Sequence, residues 1–109
     1  MVSNSEQERI ALETEEQAAI FSVLADPTRL KLLKLLYGQR EPHALCVNAL
    51  AGLLGVTQSA VSQHLRALKS VGLVKGERKG YRIHYFVNQD RLEDCRNLIS
   101  AVFWSGRST

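Results

Sequence analysis

The fold of this chain is decided by residues 50–70, which read Leu-Ala-Gly-Leu-Leu-Gly-Val-Thr-Gln-Ser-Ala-Val-Ser-Gln-His-Leu-Arg-Ala-Leu-Lys-Ser. A short apolar helix over about 46–54 ends at Gly55, and Thr57 is placed to cap a second helix that runs to about Ser70. The connection between the two helices is short and contains a glycine. Two short helices joined by such a turn are typical of a helix-turn-helix.

Two more helices are predicted before this unit. Thr14 and Gln17 form a capping box, which predicts the start of a first helix over roughly 14–25. Asp26-Pro27 then restarts the chain, because proline fits the first position of a helix and disfavours helical geometry in the residue before it. Leucines at helical spacing carry the second helix until Gly38 ends it.

Beyond the helix-turn-helix the apolar pattern changes from helical to alternating. Residues 73–78 and 81–87 are predicted to be two antiparallel strands, joined across Lys79-Gly80. A last helix is predicted over about 89–104, with an apolar stripe on one face. The predicted fold is therefore mainly α with a small β-hairpin. It is a winged helix-turn-helix with the order α-α-α-α-β-β-α, in a dimeric protein.

Charge along the chain points to a polyanionic partner. Residues 1–26 contain six acidic residues and one basic residue, a net charge of −5, whereas residues 27–87 contain ten basic and two acidic residues, a net charge of +8. A basic middle of this size suits nucleic acid, although a solvated basic surface would have the same composition. No apolar run is long enough to cross a bilayer and no secretion signal is present, so we expect a cytoplasmic protein without a membrane partner.

The second helix of the helix-turn-helix carries the candidate DNA-binding residues. Its outer side combines short hydrogen-bonding groups with positive charge, from Gln58, Ser59, Ser62, Gln63, Arg66 and Lys69. Such groups read base edges in the major groove of double-stranded DNA or bind phosphate. His64 lies at the edge of this side and suits a packing or phosphate contact, and the hairpin tip Arg78-Lys79 is placed to reach phosphate. An ordinary amphipathic helix or a charged turn would share each feature singly.

The last helix is predicted to form a homodimer interface. One face is apolar and too large for a domain of this size to cover, and it carries Leu92, Cys95, Ile99, Val102 and Phe103. A two-fold dimer places two recognition helices roughly 34 Å apart and implies an inverted-repeat operator. Residues 1–13 are then an acidic, flexible segment, 14–104 the DNA-binding and dimerisation domain, and 105–109 a loose tail.

Several motifs in this order resemble the ArsR/SmtB family of winged-helix repressors. The resemblance covers about residues 14–104 and rests on Leu24-Ala-Asp-Pro-Thr-Arg-Leu30, Leu45-Cys-Val47, Gln58-Ser-Ala-Val-Ser-Gln-His-Leu65, Gly72-Leu-Val74 and Gly80-Tyr81. It implies a dimeric repressor that leaves its operator when an inducer binds. Inducers in that family are mostly thiophilic or transition-metal ions, and some members sense persulfides or oxidants through two cysteines. The resemblance carries DNA contact to Gln58, Ser59, Ser62, His64 and the Arg78-Lys79 wing.

The inducer site follows the family patterns only in part. The metal-sensing Cys-Val-Cys motif of that family stands here as Cys46-Val-Asn48. A zinc-type site on the last helix needs Asp, His and Glu side chains, and the corresponding positions hold Gln89, Arg91, Val102 and Ser105. Neither pattern is complete.

Three interpretations of the two cysteines stay open. Cys46 and Cys95, with His43, could form a site for a thiophilic metal or metalloid ion, which is the candidate cofactor. They could instead be a dithiol switch for redox or persulfide sensing, or buried structural cysteines in a regulator without a metal inducer. A thiol enzyme built from Cys46 and His43 is rejected because no acidic residue stands at a recognisable spacing to orient the histidine. We therefore predict a sequence-specific repressor and not an enzyme.

Overall fold

The computed structural model describes residues 3–38 and 45–103. Within them, five helices and one two-stranded antiparallel sheet follow one another in the predicted order. Their bounds are α1 Asn4–Leu24, α2 Pro27–Gly38, α3 Val47–Leu54, α4 Gln58–Ser70, β1 Val74–Lys79, β2 Arg82–Val87 and α5 Gln89–Phe103. This order confirms the winged helix-turn-helix, in which β1 and β2 form the wing. The predicted tail at 105–109 lies outside the described residues.

The first helix is longer than predicted. α1 begins at Asn4 instead of residue 14, and the hydroxyl of the N-cap Ser3 accepts a hydrogen bond from the Glu6 backbone N–H at 3.2 Å. Thr14 does not cap a helix, because its hydroxyl donates to the Ile10 carbonyl at 2.7 Å. The chain from Asn4 up to Thr14 contains neither glycine nor proline and is rich in good helix formers, so the helix continues through the segment predicted to be flexible.

Local capping builds the helix-turn-helix. Gly55 ends α3 in the left-handed region with a φ of 68°, where a side chain would be strained. The Thr57 hydroxyl then accepts a hydrogen bond from the Ala60 backbone N–H at 3.0 Å and starts α4. At the start of α2, the Asp26 carboxylate accepts a hydrogen bond from the Arg29 backbone N–H at 3.0 Å, as the Asp-Pro pair predicts.

The wing turns one residue later than predicted. Lys79 pairs with Arg82, so the two turn residues are Gly80 and Tyr81 instead of Lys79-Gly80. Gly80 has a φ of 66°, and a positive φ at the first turn position alone is the pattern of a type II′ turn, which favours glycine there. β1 likewise begins at Val74, one residue later than the predicted start at residue 73.

The wing is tied to the start of α3 by backbone contacts. Cys46 forms an isolated antiparallel bridge with His84, and the Tyr85 backbone N–H donates to the Leu45 carbonyl at 3.3 Å. β2 therefore has backbone partners on both sides, β1 on one and residues 45–46 on the other. A shift of the segment that leads into α3 would be transmitted directly to the wing.

An apolar core holds the helices together. Its largest fully buried side chains are Ile20, Leu32, Leu36, Leu50, Val61, Leu65, Leu68 and Leu73. α5 lies against α1, where the Gln17 amide donates to the Leu98 carbonyl at 2.8 Å and Arg91 pairs with Glu16 at 3.0 Å. No helix in the described ranges combines the length and the apolar character that crossing a membrane requires.

Candidate nucleic-acid interface

α4 presents a continuous polar surface to solvent. Val61, Leu65 and Leu68 are buried on one side of the helix. The six predicted contact residues of the outer side are all exposed, namely Gln58, Ser59, Ser62, Gln63, Arg66 and Lys69. Amides and hydroxyls occupy the N-terminal half of this surface and the two cations follow them. α4 can therefore offer base-reading and phosphate-binding groups together.

A side-chain hydrogen bond links the start of α4 to α3. Gln58 Nε2 donates to Asn48 Oδ1 at 3.0 Å, and both side chains are exposed. Asn48 stands where the metal-sensing motif has its second cysteine. In this chain the side chain at that position accepts a hydrogen bond from Gln58, the first residue of the polar α4 surface. Nothing in the local sequence around Asn48 points to Gln58, so this contact could not be predicted from the sequence.

A hollow of about 280 Å³ separates α4 from β2, and its walls are Ser62, Leu65, Arg66, Lys69 and Tyr85. The Tyr85 ring also lies close to Gly76, its partner on β1, because a Cβ on Gly76 would stand 3.2 Å from Tyr85 Cε1. Tyr85 is not among the contact residues predicted from the sequence. The alternation along the strand placed it on one side of the wing but did not show that this side borders α4.

The wing tip is basic and exposed. Arg78, Lys79 and Arg82 all reach solvent, and Lys79 Nζ lies 4.0 Å from the Glu77 carboxylate, an exposed pair that constrains it little. Tyr81 in the turn is also fully exposed. An aromatic ring between cations suits contact with the sugar-phosphate backbone or a base. Tyr81 is therefore a third candidate contact residue at the wing tip, beside the predicted Arg78 and Lys79.

His64 is held by α2 and does not share the exposed surface of α4. Arg29 Nε donates to His64 Nδ1 at 3.2 Å, and the imidazole is half-buried. Because Nδ1 accepts this hydrogen bond, the neutral ring carries its proton on Nε2. The geometry provides the packing contact that was one of the two predicted roles, and a phosphate contact from Nε2 stays a prediction.

Cys46 is the N-cap residue of α3 and borders a cavity of about 300 Å³ between that helix and the wing. The other residues around the cavity are Val47, Asn48, Tyr81, Arg82, Ile83 and Tyr85. The backbone N–H of Ala49 lowers the pKa of the Cys46 thiol, with help from the Arg82 guanidinium, while partial burial opposes them. A lowered pKa favours the thiolate, which is the form that binds soft ions.

The predicted three-residue ion site is not assembled by the described residues. Cys95 is only 2% exposed, and burial raises the pKa of its thiol. His43 lies outside the described residues. Within residues 3–38 and 45–103, no group of three or more Cys, His, Asp and Glu side chains could hold a metal ion.

The residues of the predicted dimer face differ in their exposure within one protomer. Cys95 belongs to the apolar core of its own protomer, with Leu92 and Ile99 half-buried beside that core, whereas Val102 and Phe103 are exposed. Phe21 of α1 meets Phe103 edge to face, with ring centroids 6.3 Å apart. The exposed apolar part of the predicted dimer face therefore lies at the C-terminal end of α5, where it meets Phe21 of α1.

Comparison with known proteins places this architecture in a family. Residues 26–75 match the sequence profile described as bacterial regulatory protein, arsR family. The chain is also 36% identical over 88 residues to an uncharacterized HTH-type transcriptional regulator of Methanocaldococcus jannaschii. The aligned residues make up 81% of this chain and 96% of that protein. The chain belongs to the ArsR family. Its membership confirms the resemblance, and with it the prediction of a DNA-binding regulator and not an enzyme.

Two further proteins show what this ArsR-family chain is similar to. A probable mercury resistance operon repressor of Streptomyces lividans is 39% identical over 77 residues, which are 71% of this chain and 58% of that protein. The solution structure of a homodimeric winged helix-turn-helix DNA-binding domain from Mycobacterium bovis matches with a TM-score of 0.69 and 28% identity, covering 99% of this chain and 94% of that one. The structural match thus extends over the wing and α5, beyond the family profile.

Proposed function

We propose that this ArsR-family protein is a homodimeric repressor that binds an inverted-repeat operator and releases it when an inducer acts at Cys46. The observation that carries the proposal is the exposed polar surface of α4 beside a basic wing tip. Two relatives support it, because the Mycobacterium bovis domain is homodimeric and the Streptomyces lividans protein is named as an operon repressor.

In the operator complex, α4 enters the major groove. The amide and hydroxyl groups of its first two turns face base edges, from Gln58, Ser59, Ser62 and Gln63. The cations that follow on α4 and those of the wing bind phosphate, from Arg66, Lys69, Arg78 and Lys79. Binding should therefore combine sequence discrimination from the first group with a steep salt dependence from the second.

The dimer forms through α1 and the C-terminal end of α5. Phe21, Val102 and Phe103 are 36%, 48% and 77% exposed in the single protomer, and such neighbouring large apolar side chains are stabilised by burial against a second copy. A two-fold axis through this surface places the two α4 helices on one side of the DNA, roughly 34 Å apart.

Cys46 is the favoured sensing residue. Its thiol borders a cavity between α3 and the wing, and its lowered pKa favours the thiolate that a thiophilic metal or metalloid ion binds. Since the described residues offer no set of three ligands, the ion takes at least one further ligand from outside them, with His43 as the predicted one, or from the partner protomer. The mercury-resistance relative supports this class of inducer.

Two alternatives differ in how well the structure supports them. A dithiol switch needs Cys95 to be accessible and to form a thiolate, and both its burial and the raised pKa of its thiol argue against that. A regulator with two structural cysteines is the second candidate, because no three-ligand cluster occurs within residues 3–38 and 45–103.

The test measures release of labelled DNA from upstream of the protein's own gene, by fluorescence anisotropy at fixed salt. Arsenite, cadmium, zinc and an inorganic polysulfide are titrated separately into the complex of the reduced protein. We expect release by a thiophilic ion, with Cys46→Ser still binding DNA but no longer released and Cys95→Ala behaving as the wild type. Unchanged release from Cys46→Ser would overturn the sensing role, and failure to bind that DNA specifically would overturn the repressor proposal for it.

A further inference from the structure

Arg29 connects three helices at one point. Its Nη1 donates to the Val23 carbonyl at 3.1 Å, and its Nε donates to His64 Nδ1 at 3.2 Å. Its backbone N–H donates to the Asp26 carboxylate at 3.0 Å and so anchors Arg29 in the first turn of α2. Val23 belongs to the last turn of α1 and His64 to α4. One guanidinium group therefore bridges the end of α1 and the recognition helix.

This bridge is directional. The guanidinium is planar and its N–H groups point in fixed directions, which a flexible ammonium group cannot reproduce. The Val23 carbonyl is one of the last four of α1, which have no donor within their own helix, so Arg29 satisfies an otherwise unpaired acceptor. The Asp26 carboxylate belongs to the same group of contacts through the Arg29 backbone N–H. The hydrogen bond from the Arg29 backbone N–H lowers the pKa of the Asp26 carboxyl, and the positive charge of the Arg29 guanidinium adds to that effect.

The two bridged helices have different tasks in the proposed repressor. α1 packs against α5 through the Gln17–Leu98 hydrogen bond and the Glu16–Arg91 ion pair, and it carries part of the proposed dimer surface. α4 carries the DNA-contacting surface. The angle between α1 and α4 therefore sets the distance between the two recognition helices of a two-fold dimer, which must match the repeat of the DNA.

We propose that Arg29 is a positioning residue that fixes α4 relative to α1 through His64 and thereby sets the half-site spacing that the dimer prefers. This inference rests on the proposed function as an operator-binding dimer. It gives His64 the role of a hydrogen-bond acceptor inside the protein, and it explains why this side chain is half-buried on the flank of α4.

The test uses an operator selected by the wild-type protein from a random duplex library. The operator is resynthesised with its half-sites one base pair closer and one base pair farther apart. Fluorescence anisotropy then measures the affinity of the wild type, Arg29→Lys, His64→Leu and His64→Asn for all three duplexes. Arg29→Lys keeps the charge and loses the geometry, His64→Leu removes the acceptor, and His64→Asn is the conservative control because its side-chain oxygen can accept in place of Nδ1.

We expect the wild type and His64→Asn to prefer the original spacing. Arg29→Lys and His64→Leu should lose roughly tenfold in affinity on that duplex, the equivalent of one hydrogen bond to a charged group, and less on the other two, so that their spacing preference flattens. Dimerisation, measured by sedimentation, should be unchanged.

An equal loss on all three duplexes, matched by an equal loss on a single half-site, would overturn the positioning role, because a direct DNA contact or general destabilisation gives that result. If Arg29→Lys does not fold, as thermal unfolding would show, His64→Leu removes the same hydrogen bond from the other end and decides the question. If the wild-type protein selects no operator, the proposed function fails, and this inference falls with it. If it selects one and the spacing preference survives both variants, only this inference falls.

Discussion

Neutralising one wing cation should change the salt dependence of operator binding by a calculable amount. The proposed complex assigns four exposed cations of each protomer to phosphate, eight in a dimer, namely Arg66, Lys69, Arg78 and Lys79 from each copy. Each neutralised phosphate contributes about −0.9 to the slope of log K against log salt concentration, so full engagement gives a slope of roughly −7. Lys79→Gln removes two of these contacts per dimer and should bring the slope to roughly −5.

These slopes translate into large differences in affinity. Between about 50 mM and 200 mM salt, the wild type should lose roughly 10⁴-fold in affinity and Lys79→Gln roughly 10³-fold. Anisotropy titrations at several salt concentrations within this range measure both slopes. Arg96→Gln is the matched control, because Arg96 is an exposed cation on α5, outside the proposed DNA surface, where it pairs with Glu93 at 3.2 Å. Its slope should equal that of the wild type.

Parallel plots of log K against log salt concentration for the wild type and Lys79→Gln would refute the proposed contact between Lys79 and phosphate. If the slope of Lys79→Gln equals those of the wild type and Arg96→Gln, whatever the vertical offset, the wing does not neutralise phosphate and its placement on the DNA is wrong. Arg66→Gln then tests α4 alone by the same arithmetic, since it too removes two cations from each dimer.

Three further predictions concern stability and thiol chemistry. Gly76→Val should lower the free energy of unfolding by about 1–3 kcal/mol in urea denaturation, because even its Cβ would stand 2.9 Å from Ile83 Cγ2; an unchanged midpoint would contradict that close contact. Gly52→Ala should raise the same quantity by about 0.5–1 kcal/mol, since this helical glycine has nothing within 4 Å of an added Cβ. Iodoacetamide at neutral pH should alkylate Cys46 well before Cys95, because the pKa of the first thiol is lowered and that of the second is raised by burial. Mass spectrometry of digested samples would show the order, and equal rates would count against the buried position of Cys95.

The helix-turn-helix and the outer surface of α4 could be predicted because both depend on contacts within a few residues. Gly55 and Thr57 end one helix and start the next through their own backbone and side chain. Burial of Val61, Leu65 and Leu68 follows from their spacing along one helix, and this spacing also decides which residues face away from the core.

Two errors came from competing local patterns. Ser3 and Glu6 form a start pattern of the same type as Thr14 and Gln17, and the helix uses the earlier one because nothing between them interrupts it. The predicted wing turn is one residue early because both Lys79-Gly80 and the following pair suit a tight turn. The pairing of Lys79 with Arg82 across the hairpin selects Gly80-Tyr81 as the turn, and neither dipeptide by itself specifies that pairing.

The sequence by itself determined the order of the elements, the helix-turn-helix and the charge of the candidate DNA surface, because capping, glycine conformation and helical periodicity act over three or four residues. Only the tertiary structure decided that His64 accepts a hydrogen bond from Arg29, 35 positions away, that Cys95 lies in the core, and that Cys46 pairs with the wing at His84. These contacts depend on how separate helices and strands cross. Many side-chain partners satisfy the same local pattern, and only the crossing of the elements selects one.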